Sequence, residues 1–172
     1  MNVAAFCAMS LFDEKYARLK RERHTAKSCG ESRCQRCGLC CWHMPGALTQ
    51  KDLAKLSERY DMTPKEFFAK HCVISERLGQ NVVRLARANE QDKLGHYLSD
   101  ADSWNLGAPC GFLKEDGGSC RCALQDVKPA ECRASKCWKP TSEALPICWS
   151  DAELHALGWD GWTGEFAEEY EE

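Results

Sequence analysis

The chain has 172 residues, a formal net charge of −3, 44% hydrophobic and 28% charged residues. That size and balance suit one globular domain with a modest core and leave little for a second. The slight acidity gives no electrostatic footprint for nucleic acid, and the cationic run RLKRERHTAK reads as the solvated end of a helix. No apolar run is long enough to span a bilayer, and the opening MNVAAFCAMSLFDEK lacks both a basic leader and a small-x-small cleavage site. Neither a membrane nor a nucleic-acid partner is therefore expected, and the expected compartment is the cytoplasm.

In chain order, Ser10 is placed to cap a first helix over roughly residues 11–24, with Asp13 at its third position and Phe12, Tyr16 and Leu19 on one stripe. Lys20, Arg21 and Arg23 suit the negative C-terminal end of its dipole. Residues 29–47 contain CGESRCQRCGLCC and read as an irregular loop. Thr49 caps QKDLAKLSERY, whose Leu53, Leu56 and Tyr60 share a face, and Thr63 caps the helix that Pro64 opens in DMTPKEFFAKHC. NVVRLARA alternates like a strand, KLGHYLSD is expected to pair with it, and KEDGGSC is a turn between two short extended pieces. From Pro109 to Cys148 the chain is rich in cysteine and low in periodicity. Ser150 and Glu153 form a capping box for DAELHALG, and the acidic GEFAEEYEE ends the chain. The expected architecture is a small α+β single domain, with cysteine-rich irregular loops around a metal site, short helices and a small β element. It divides into an N-terminal helix (1–28), a cysteine-cluster metal-binding domain (29–149) and a C-terminal helix with an acidic tail (150–172).

Thirteen cysteines, an odd number with no secretory leader, point to metal or redox chemistry rather than to a disulfide framework. Cys34-x2-Cys37-x2-Cys40 matches the first three spacings of the bacterial ferredoxin run C-x2-C-x2-C-x3-C-P. The fourth position departs: Met44 precedes Pro45, and Cys41 follows Cys40 directly. Short x2 spacings let a turning backbone aim several sulfurs at one point, as zinc and iron–sulfur sites both require. Adjacent cysteines usually point different ways, so joint ligation by Cys40 and Cys41 calls for an irregular backbone or for two metals. The second segment supplies Cys110, Cys120, Cys122, Cys132 and Cys137, and Cys148 follows. The 68 residues between Cys41 and Cys110 would make a shared site a long-range staple for a modest core.

CQRCGLCC, the LTQKDLAKLSERYDMTPKEFF helices, PCGFL and CALQDVKPAECR, in this order, resemble the YkgJ-like cysteine-cluster proteins, a family named for the motif CxxCxxCC and described as zinc- or iron-chelating. The resemblance runs over roughly residues 34–148. It implies that the family's eight cysteines fall on Cys34, Cys37, Cys40, Cys41, Cys110, Cys122, Cys132 and a final position contested between Cys137 and Cys148, with Cys148 narrowly preferred. Lys128 stands where the family has arginine before Pro129, and Gln125 where it has tyrosine. Both departures bear on packing beside the ligands. The implied cofactor is an iron–sulfur cluster or zinc held by eight or nine thiolates. The implied partners are metal ions and an unidentified protein partner or substrate. Flagellin lysine methylases carry a similar cysteine motif and look like relatives, so cluster-dependent methyl transfer is the alternative function. Against it, the chain has no G-x-G-x-x-G loop. A nucleophilic Cys/His enzyme is disfavoured, because a catalytic cysteine usually stands alone.

Other residues have plainer readings. Cys7 and Cys72, in expected helices, read as buried small hydrophobes, Cys29 as a flank of the first loop, and Cys120 as a bystander to Cys122. His43 is near enough to the cluster to ligate but reads first as polar loop surface, and His24, His71, His96 and His155 have no ligand spacing. Trp42, Trp138 and Trp149 each follow a candidate ligand and either shield a metal from water or pack a core. Arg33, Arg36, Arg121 and Arg133 either offset thiolate charge or keep a loop soluble.

Overall fold

Reciprocal capping boxes start three helices of the computed structural model, which describes residues 38–43, 45–77, 79–98, 108–116, 119–134 and 147–161. The expected first helix, the thiols of Cys7, Cys29, Cys34, Cys37 and Cys137, Arg33, Arg36, His24, Trp138 and the acidic tail all lie outside the described residues. The described chain is mixed α+β. In order it contains α1 (Leu39–His43), α2 (Gln50–Arg59), α3 (Pro64–His71), β1 (Cys72–Arg77), β2 (Gln80–Leu85), a 3-10 turn (Gln91–Lys93), β3 (Tyr97–Leu98), β4 (Leu113–Asp116), β5 (Ser119–Cys122), α4 (Ala130–Ala134) and α5 (Asp151–Ala156).

The caps are those the sequence signals. Thr49 with Asp52 starts α2, Thr63 with Glu66 starts α3 behind Pro64, and Ser150 with Glu153 starts α5. In each box the hydroxyl accepts a main-chain N–H and the acid accepts the cap's own, which stabilises a helix start by roughly 1 kcal/mol. Leu53 and Leu56 of α2 are buried with Phe67 and Phe68 of α3, and Tyr60 is partly buried beside them.

The sheet differs from expectation in two ways. Cys72 opens a strand, not the end of a helix, and β1 lies at the centre of the order β2-β1-β3. Cys72, Val73, Ile74 and Ser75 are all buried, so this strand lacks the alternation by which half-exposed strands are recognised. β2 pairs antiparallel with β1 through a hairpin whose Gly79 has φ 74°. β3, within KLGHYLSD, pairs parallel with β1 rather than with β2, because β1 stands between them. The outer edge of β2 is covered too: Leu48 N–H donates to Val83 O (2.8 Å) and Leu85 N–H to Gly46 O (3.1 Å). A second, two-stranded sheet is the expected hairpin around KEDGGSC, pairing Leu113 with Cys122 and Glu115 with Cys120.

Candidate metal centre

Of the first cysteine segment, the described residues Leu39–His43 are helical where a loop was expected. α1 begins after Gly38, whose φ of 78° sets the turn into it, and Trp42 N–H bonds Gly38 O at 3.0 Å. On one turn of helix consecutive side chains diverge by about 100°, yet the Sγ atoms of Cys40 and Cys41 are 4.0 Å apart and both line one cavity. With Zn–S bonds near 2.3 Å, two sulfurs of one tetrahedral site would sit about 3.8 Å apart, so a regular helix does not exclude joint ligation. Trp42 is buried and anchors α1 by donating its indole N–H to Glu115 of β4 at 3.1 Å.

The second segment is fastened by main-chain bonds to the first and to the residues that follow β2. Cys110 N–H donates to Cys41 O at 2.8 Å, Gly111 N–H to Ala86 O at 2.9 Å and Ala88 N–H to Pro109 O at 2.9 Å. β5 then carries Cys122 alongside Leu113. The chain turns through Lys128 and Pro129 into α4, which carries Cys132. Two acids hold α4 in place: Asp52 accepts the Ala130 N–H at 3.1 Å, and the buried Glu131 accepts the Ala47 N–H at 2.5 Å and the Arg77 guanidinium at 2.5 Å. Glycine is required opposite Cys132, since a Cβ at Gly46 would fall on the Cys132 sulfur.

The result is a cavity of about 20 Å³ lined by Cys40, Cys41, Cys110, Cys122 and Cys132 together with Lys128 and apolar walls, the order of space that one water fills. Each sulfur feels the others. Burial pushes the Cys110 thiol up to about 12, with Cys122 and Cys40 adding to it and Arg87 opposing. Burial, then Cys110, raises Cys132, and Lys128 opposes that rise. A bond to Cys40 and then burial raise Cys41 strongly. Burial thus favours the neutral thiols, and a bound cation would supply the charge that turns them into thiolates. Among the described residues no three His, Cys, Asp or Glu side chains already stand at ligating distance. The fit therefore rests on the donor set and on the glycine cradle: soft sulfur ligands on separate segments, with space between them, suit zinc or an iron–sulfur cluster.

The remaining described candidates lie elsewhere. Cys148 is exposed and does not line the cavity. Cys120 is buried on β5 with its sulfur 2.6 Å from where a Cβ on Gly38 would stand. Cys72 is a fully buried core residue, as its small-hydrophobe reading implies. Trp149 is buried in the core and donates to Leu48 O at 2.8 Å. Neither it nor Trp42 lines the cavity, which favours core packing over shielding. Of the expected histidines, His71 packs among Tyr60, Phe67 and Phe112, and neither His96 nor His155 lines the cavity. Sequence reasoning passed over Asp52, Arg77, Arg84, Arg87, Glu90 and Glu131, which hold the cysteine segments in place. Their one visible signal was charge inside otherwise apolar stretches such as NVVRLARANE.

Thiols gathered from distant segments into one cavity are the donor chemistry of a metal-chelating domain. The chain belongs to the CxxCxxCC family, described as a putative zinc- or iron-chelating domain, whose model matches residues 33–154. No curated protein and no solved structure matches the chain. Among the described residues no helix is long and apolar enough to cross a membrane.

Proposed function

We propose that this protein is a cytoplasmic metal-binding module that holds an iron–sulfur cluster or zinc through Cys40, Cys41, Cys110, Cys122 and Cys132. Cys34, Cys37 and either Cys137 or Cys148 complete the set. The observation that carries the reading is that five thiols, the outermost 92 positions apart in sequence (Cys40 and Cys132), line one cavity. A bound metal would supply the positive charge that turns these buried thiols into thiolates. The chain supplies the rest: α1 presents two adjacent sulfurs, the Cys110 N–H to Cys41 O bond joins the two segments, and α4 brings Cys132 against Gly46. The ferredoxin-like spacing of Cys34, Cys37 and Cys40 favours iron.

Metal analysis, acid-labile sulfide and an absorption spectrum on anaerobically purified protein test the reading. Iron with sulfide and a brown colour supports a cluster, and stoichiometric zinc in a colourless protein supports the zinc form. A folded protein that neither contains nor takes up zinc, iron or a reconstituted cluster would overturn the proposal.

A further inference from the structure

Arg87 is almost fully buried, at 3% exposure, yet it lies outside the cavity. One terminal nitrogen of its guanidinium donates to Trp42 O at 3.0 Å and to Ala108 O at 2.8 Å. Trp42 directly follows Cys41, and Ala108 stands two residues before Cys110. Arg87 also forms a β-bridge with Cys110 itself. Its own place is set by Glu90, which accepts the Arg87 main-chain N–H at 2.7 Å and takes both terminal nitrogens of Arg84 at 2.8 Å each.

We infer that Arg87 is a positioning residue for the metal centre: its guanidinium fixes the backbone beside Cys41 to the backbone beside Cys110 and places a buried positive charge next to the thiolates. The inference rests on the metal-binding reading above. The physical logic is that of outer-shell groups in metal sites, which orient ligands and compensate their charge, and whose loss typically lowers metal affinity by about 10–100-fold. Arginine suits the task because one rigidly held terminal nitrogen aims its two N–H bonds at carbonyls on different segments while staying charged in a buried setting. Lysine keeps the charge, but its flexible stem ends one bond short of that terminal nitrogen, so it would not hold both carbonyls in the same place.

The test uses the full reduced chain, with Co(II) as the probe metal, and compares wild type, Arg87→Lys and the core variant Val83→Ala. Affinity is read by competition with a chelator, the ligand set by the thiolate-to-cobalt absorption bands at saturation, and stability by urea melts of the metal-free protein. Arg87→Lys should bind Co(II) about 10–100-fold more weakly, with altered bands at saturation. Val83→Ala, fully buried in the core and not among the residues that line the cavity, should lose stability yet keep the wild-type bands. Unchanged bands in Arg87→Lys, or an affinity loss no greater than that of a Val83→Ala variant of equal stability, would overturn the inference. A wild-type protein that binds no Co(II), zinc or iron would instead overturn the metal-binding reading on which it rests.

Discussion

Substituting Gly46 by alanine should expel Cys132 from the proposed metal site. A Cβ at position 46 would fall on the Cys132 sulfur, with the Cys132 Cβ 3.7 Å and its main-chain nitrogen 3.8 Å away. The backbone has little room to retreat, because Gly46 O accepts the Leu85 N–H at 3.1 Å and Ala47 N–H donates to Glu131 at 2.5 Å. The sulfur must therefore swing aside, or the strand edge must shift, at a cost between ~1 kcal/mol for a strained rotamer and ~3 kcal/mol for overpacking. Metal affinity should fall in addition, by about tenfold or more, or ~1.4 kcal/mol, since one ligand has left. Urea melts of the metal-free protein and chelator competition measure the two quantities separately. In a Cys132→Ala background the added methyl meets no sulfur, so the double-mutant cycle should show a coupling of ~1–3 kcal/mol. Equal costs in both backgrounds, or a stability loss with wild-type metal affinity, would refute the reasoning.

Chelating the metal from purified protein should lower the melting temperature sharply, because a site spanning both cysteine segments makes binding free energy also folding free energy; an unchanged melt after verified metal removal counts against this. Cys122→Ser should reduce metal retention at least tenfold, ~1.4 kcal/mol, while Cys120→Ser should cost stability alone, at roughly 1 kcal/mol; the reverse pattern would reassign the ligand on β5. The same pair of measurements on Cys137→Ser and Cys148→Ser assigns the final ligand. For pH, burial raises the Cys72 thiol above its ordinary value of 9.0, so the folded state holds this proton more tightly than the unfolded chain. Its stabilisation is full below the unfolded pKa and is lost as pH rises above about 9, at up to ~1.4 kcal/mol per pH unit. Urea melts of metal-free protein between pH 8 and pH 10 should show that decline, and Cys72→Ala should reduce the slope.

What the sequence by itself determined is local or fixed by chemical type. Thr49 with Asp52, Thr63 with Glu66 and Ser150 with Glu153 sit at the three-residue offset of a capping box, so helix starts could be read directly. The turn in KEDGGSC was legible for the same reason, and so were the thiol spacings that point to a metal. Tertiary structure decided what depends on partners far along the chain. β1 escaped notice because a central strand buried on both faces shows no alternation, and its neighbours, not its own pattern, make it a strand. Cys40 and Cys41 share a cavity although they diverge on a helix, because Cys110 pairs with Cys41 and the hairpin and α4 close around both. Cys120 and Cys122 are two apart on one strand and have the same nominal facing. Gly38 lies against the first of them, and the cavity opens on the second. Asp52, passed over in the sequence, closes the capping box of Thr49 and also accepts the first N–H of α4, 78 residues away. A sequence shows which groups can bond or coordinate, but which of them meet is settled only when distant segments are folded against each other.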